Sequence, residues 1–167
     1  MEVELARFGL SEGSKRGDLT GPNPTDRAKS GVKRHILTDG RGVPIGALIS
    51  GANVPDAAMI NQILDAVPLR GSRGPRRPEH LCLDKGYDYP HVAPAIRLRG
   101  IRPHIRRRGE QPLVGVVNGK ARRWVVERTN SWHNRFRGLL VRWERVGAHY
   151  LALLQLACGL IAFQQAR

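Results

Sequence analysis

The 167 residues carry 28 Lys and Arg against 14 Asp and Glu, a formal charge of +14. That is long enough for one domain with a real core, and basic enough to favour a polyanion, most simply nucleic acid, through phosphate neutralisation and counterion release. Two cysteines in apolar runs, without Cys-x-x-Cys or Cys/His spacing, read as buried small hydrophobes of a reducing cytoplasm rather than zinc ligands, the acidic start Met1-Glu-Val-Glu-Leu5 does not read as a signal peptide, and the longest apolar stretch, residues 148–163, is interrupted by His149 and Gln155 and falls short of a membrane span.

Residues 1–30 are polar, glycine-rich and read as an irregular segment, and residues 31–167 read as the folded domain. Within the first, Thr20-Gly-Pro-Asn-Pro-Thr-Asp-Arg27 reads as loop, because proline fixes φ and removes donors. Residues 33–38 read as a strand, Asp39-Gly-Arg-Gly42 as a hairpin turn, and residues 43–50 as the returning strand, with Pro44 marking an edge or a bulge. Ala57, Met59, Ile60, Ile63, Leu64 and Val67 give the apolar stripe of a helix. A basic Gly/Pro loop over residues 71–78 precedes the short apolar strand His80-Leu-Cys-Leu-Asp84. A helix over 92–98, a strand over 101–105 and a basic loop over 106–118 follow. Two helices, over 122–140 and 149–164, close the chain, the second a packing helix on Leu151, Leu154, Ala157, Leu160 and Ile161. This order predicts an α/β fold, a mixed sheet with helices packed on it.

Two acids stand out by position. Asp84 ends a buried-looking strand, where α/β folds hold ligands; equally, it fits an ordinary turn Asp before Gly86. Glu127 opens a polar helix side with Ser131, Asn134 and Arg135, opposite Val125, Trp132, Phe136 and Leu139. It also fits a surface ion pair with Arg123, one turn earlier, worth a few tenths of a kcal/mol.

Three blocks, Thr20 to Asp39, Leu81-Cys-Leu-Asp-Lys-Gly-Tyr-Asp88 and Arg123-Trp-Val-Val-Glu-Arg-Thr-Asn-Ser-Trp-His-Asn-Arg-Phe-Arg137, resemble in order the DDE transposases of bacterial insertion sequences. The resemblance implies a ribonuclease-H-like core with a triad of two Asp and one Glu, in which the second Asp corresponds to Asp84 and the Glu to Glu127. It implies Mg2+ or Mn2+ as cofactor, since hard carboxylate oxygens hold such an ion and leave positions open for phosphate oxygens. A related signature, Tyr-x2-Arg-x3-Glu-x6-Lys, is matched at Arg123 and Glu127, whereas Lys120 stands in place of its Tyr and Asn134 in place of its Lys, with Arg135 one residue later.

The resembled fold carries its first Asp on the opening strand, before the Thr-Gly-Pro-Asn-Pro loop. Residues 1–17 contain Glu2, Glu4 and Glu12 but no Asp, and Asp39 maps to the hairpin turn instead. The expectation is therefore a truncated catalytic domain with an incomplete first strand, either one product of a two-frame transposase completed by an upstream product, or a decayed fragment. Its partners are the terminal repeats and target DNA, homo-oligomerisation is compatible, and its place is the cytoplasm, at the nucleoid. Lys33, Arg34, Arg107, Arg108, Arg123, Arg128, Asn134 and Arg135 are the expected DNA contacts, positioning phosphates over the site. The alternatives are a non-catalytic basic DNA-binding fragment that competes for or assists at element ends, and an RNA-binding accessory protein.

Overall fold

The computed structural model describes residues 2–12, 17–67, 70–71, 74–75, 78–105 and 123–166. The basic loop expected over 106–118, with Arg107 and Arg108, lies outside them. The chain runs β1 (Glu2–Glu12), β2 (Gly21–Pro22), β3 (Ser30–Asp39), β4 (Pro44–Gly51), a 3-10 turn (Asp56–Met59), α1 (Ile60–Asp65), β5 (Arg70–Gly71), β6 (Gly74–Pro75), β7 (His80–Leu83), a second 3-10 turn (Lys85–Tyr87), α2 (Val92–Arg97), β8 (Arg102–Ile105), α3 (Arg123–His133), α4 (Arg137–Leu140) and α5 (Gly147–Gln165).

The six-stranded sheet is mixed. β3 pairs antiparallel with β1 on one edge and with β4 on the other, while β1, β7 and β8 run parallel. Pro44 lies at the start of β4, where the β3 register shifts between Leu37 and Thr38. That is the place the missing N–H dictates. Asp39 closes the hairpin turn, accepting from the backbone N–H of Arg41 and Val43 at 2.9 Å each.

The opening segment departs from expectation: Glu2–Glu12 is a strand at the centre of the sheet. Its local sequence, polar and broken by Gly9, is a weak strand signal, but β3 and β7 offer ladder partners on both edges, and such pairing overrides propensity. A register shift between Phe8 and Leu10 absorbs the glycine.

Side chains alternate across the sheet and build two cores. Leu37, Leu81 and Leu83 pack with Ile60, Ile63, Tyr87, Val92 and Ile96 beneath α1 and α2. Val32, Ile36, Ala47 and Ile49 pack with Leu139, Tyr150, Leu154, Ala157 and Cys158 on the other face. The helix expected over 122–140 is broken. α3 ends at His133, Phe136 is extended (φ −92°, ψ 96°), and α4 restarts at Arg137. The break lets Phe136 and Leu139 reach the second core. Leu160, expected to pack, is exposed, because the buried line of α5 runs through Tyr150, Leu154, Ala157, Cys158 and Ile161, about a third of a turn away. By length and composition α5 would also cross a membrane; here that line packs on β4.

His133 joins α3 to α5. Its Nδ1 lies 2.9 Å from Thr129 O and its Nε2 3.3 Å from Cys158 Sγ. Burial pushes the imidazole down to about 4 and the thiol up to about 12. Both therefore stay neutral, the ring donating to the carbonyl and the thiol to the ring. The unfolded chain takes up a proton near the ordinary histidine value of about 6.5, which the fold refuses until about 4. Stability is thus full above about 6.5, falls as pH drops towards 4, and loses on the order of 3 kcal/mol across that window. Urea titrations at neutral and acid pH should show this loss in the wild type and a clearly smaller one in His133→Gln. An equal loss in both would refute it.

Candidate active site

Leu81 and Leu83 are buried and fix β7, and the next residue, Asp84, stays extended (φ −76°, ψ 176°) and exposed. Its Oδ1 accepts from Gly86 N at 2.8 Å, capping the turn Lys85–Tyr87. A Cβ on Gly86 would lie 2.9 Å from that oxygen, so a side chain there would push the carboxylate out of its capping position. Tyr87, fully buried, anchors the turn from below. The turn role and a ligand role are compatible, because a carboxylate has two oxygens and more than one lone pair on each.

Glu127 is exposed on α3, whose buried residues Val125, Thr129 and His133 recur every fourth position. Thr129 Oγ1 donates to Gly42 O at 2.6 Å and lies 3.0 Å from Val125 O, pinning the helix to the β3–β4 turn. Gly42 has φ +86°, and a Cβ there would lie 2.9 Å from Thr129 Oγ1. The close approach and the left-handed backbone both require glycine. Arg128 Nη1 adds a longer bond to Arg41 O at 3.4 Å. Ser131 is exposed on the helix, as its polar side requires, whereas Asn134 and Arg135, expected on the same side, are exposed in the turn beyond the helix end.

β1 is the common neighbour of the two elements that lead to the acids: β7 pairs with it in parallel up to Cys82, and α3 packs against it. Leu81 and Leu83 belong to the core under α1 and α2, so His80 and Cys82 occupy the opposite sheet face, on which α4 and α5 pack. Asp84, extended, continues that row. Among the described residues, no three His, Cys, Asp or Glu side chains are gathered to hold a metal ion.

The expected DNA contacts divide. Arg128, Asn134 and Arg135 are exposed; α3 begins at Arg123. Lys33 and Arg34 are not a surface: they are 5% and 3% exposed. Lys33 Nζ lies 3.1 Å from Asp56 Oδ1 and donates to Val54 O at 2.7 Å, and burial lowers the Arg34 pKa. Both sit mid-strand in β3, a doubly paired strand covered on its two faces, so they serve the fold and are corrected from phosphate contacts to structural cations. Beside Lys33, a cavity of ≈270 Å³ is lined by Thr25, Asn53, Asp56, Gly86 and Tyr89, so the loop after Thr20 and the turn after Asp84 meet at one end of the sheet.

Arg142 was not singled out in the sequence. It is 1% exposed and holds Asp18 to the start of α5. Within a basic stretch nothing local distinguishes a buried guanidinium from a solvated one.

The family described as Transposase DDE domain matches residues 9–161. A curated relative, "Putative transposase for insertion sequence element IS402" of Burkholderia cepacia, is 45% identical over 151 residues, which are 89% of this chain and 70% of the relative. Among solved structures, the cryo-EM structure of the piggyBac transposase synaptic complex with hairpin DNA matches with a TM-score of 0.43 and 17% identity, over 66% of this chain and 23% of that one.

Proposed function

Because the chain belongs to the transposase DDE-domain family, we propose that it acts in DNA transposition, contributing Asp84 and Glu127 as the metal-holding acids of a ribonuclease-H-like catalytic domain that cleaves and joins insertion-element ends. The observation that carries this reading is the placement of Asp84 directly after β7 and of Glu127 on α3, two elements adjoining β1. The mixed sheet, antiparallel on one side of β1 and parallel on the other, supports the fold assignment.

The chain's own residues have definite parts. The Gly86 amide orients the Asp84 carboxylate. Thr129, locked to Gly42, sets the register of the helix that carries Glu127. Two exposed carboxylates are the hard oxygen donors that Mg2+ or Mn2+ accepts while keeping positions for phosphate oxygens. A bound ion would supply the charge that clamps attacking and leaving oxygens in an in-line displacement. Arg128, on the solvent side of α3, and Asn134 and Arg135, exposed in the turn that follows it, would offset phosphate charge and position DNA. DNA is the partner; a second transposase product and a second copy of the chain are further partners consistent with this reading.

The strand β1 offers Glu2, Glu4 and Glu12 and no Asp. With two matched acids rather than three, the isolated chain is expected to show little or no strand transfer. Incubation with DNA bearing the element's terminal repeats, with Mg2+ or Mn2+, tests this, and robust cleavage would refute it. A second reading, a non-catalytic DNA-binding protein at element ends, is favoured by the absence of a gathered three-donor set among the described residues. DNA retention without cleavage, even when the missing acid is supplied in trans, would select it.

A further inference from the structure

His80 and His104 stand 24 residues apart, and the sequence gives no reason to connect them. The parallel pairing of β7 with β8 does: His80 is registered with Arg102 and Cys82 with His104, so both histidines fall on one sheet face, diagonal across adjacent strands. His80 Nδ1 lies 2.8 Å from His104 Nε2, and the ring centroids are 5.0 Å apart at 39°. His80 is half-buried and His104 exposed, on the edge strand. The row continues through Cys82 towards Asp84, four residues or about 13 Å along the strand.

From this juxtaposition we propose a second metal site, in which His80 Nδ1 and His104 Nε2 bind a borderline divalent ion of the Zn2+ class. One proton bridges the two nitrogens in the metal-free protein. On binding, the ring that carries this proton gives it up to solvent and takes one up on its other nitrogen, so both rings stay neutral and each presents a lone pair to the ion. Two imidazoles on tetrahedral Zn2+ at Zn–N of about 2.0–2.1 Å stand roughly 3.3 Å apart. The rings need to part by only about 0.5 Å, which an exposed edge-strand side chain allows. Water fills the remaining positions, since no third donor is gathered among the described residues. Donor chemistry separates this site from the carboxylates: imidazole favours Zn2+, whereas Mg2+ takes oxygen. The site would place an ion on the strand that ends in Asp84, and it does not depend on that acid's role.

Zn2+ alone, titrated calorimetrically into the metal-stripped full chain, tests the proposal. One equivalent is expected to bind, and His80→Ala or His104→Ala to weaken it ~10-fold or more. His104→Gln, which keeps a polar partner for His80, should weaken it equally while leaving the thermal midpoint unchanged. His149→Ala, Asp84→Asn and millimolar Mg2+ should leave Zn2+ affinity unaltered. Full Zn2+ affinity in His104→Gln, or its loss in Asp84→Asn, would overturn the assignment.

Discussion

Arg142→Ala is expected to lower folding stability by about 3–5 kcal/mol, the range for removing one member of a buried charged network. The guanidinium is 1% exposed and saturates its environment. Nε donates to Glu144 O at 2.8 Å, Nη1 to Asp18 O at 2.7 Å, and Nη2 to Asp18 Oδ1 at 2.9 Å and Arg145 O at 3.0 Å. Its charge also lies 5.6 Å from the Tyr150 ring centroid. Asp18 Oδ1 in turn accepts from Gly147 N at the start of α5. Truncation leaves buried carbonyls without donors and releases residue 18, which leads into the loop after Thr20. Arg142→Lys should recover little, because one ammonium cannot reproduce a planar fork over spread acceptors. Asp18→Ala should cost less, since that carboxylate is 59% exposed. Urea midpoints for the three variants test the ranking. An Arg142→Ala protein within 1 kcal/mol of wild type, in the range of ordinary surface substitutions, would contradict it.

The parts of the fold legible in the sequence are those where local chemistry and final environment agree. Asp39-Gly-Arg-Gly42 demands a turn and makes one, and Pro44 predicts an irregular edge and lies at one. His80–Leu83 is a strand because its alternate leucines meet a core. Long-range pairing accounts for the failures. β1 is held in the centre of the sheet by two neighbours rather than by its own propensity. Lys33 and Arg34 read as surface cations until the sheet closes over them and Asp56 meets Lys33. The bend at Phe136 answers to a core that α3 alone does not reveal.

The candidate site divides in the same way. Motif order singled out Asp84 and Glu127, and the fold sets one directly after β7 and the other on α3, both neighbours of β1. The details that hold them were not readable, because they depend on contacts across the chain. Thr129 and Gly42 are 87 residues apart, and only the folded molecule shows that one hydroxyl fastens the helix of Glu127 to a turn.

Mn2+ affinity of the wild-type chain, Asp84→Asn, Glu127→Gln and the double variant, measured by electron paramagnetic resonance, decides whether the two acids hold one ion. Each single change should weaken binding ~10-fold or more, and the double variant should be little worse than either, because ligands of a shared ion are strongly coupled. Losses that multiply independently, or single variants that bind as the wild type does, would contradict it.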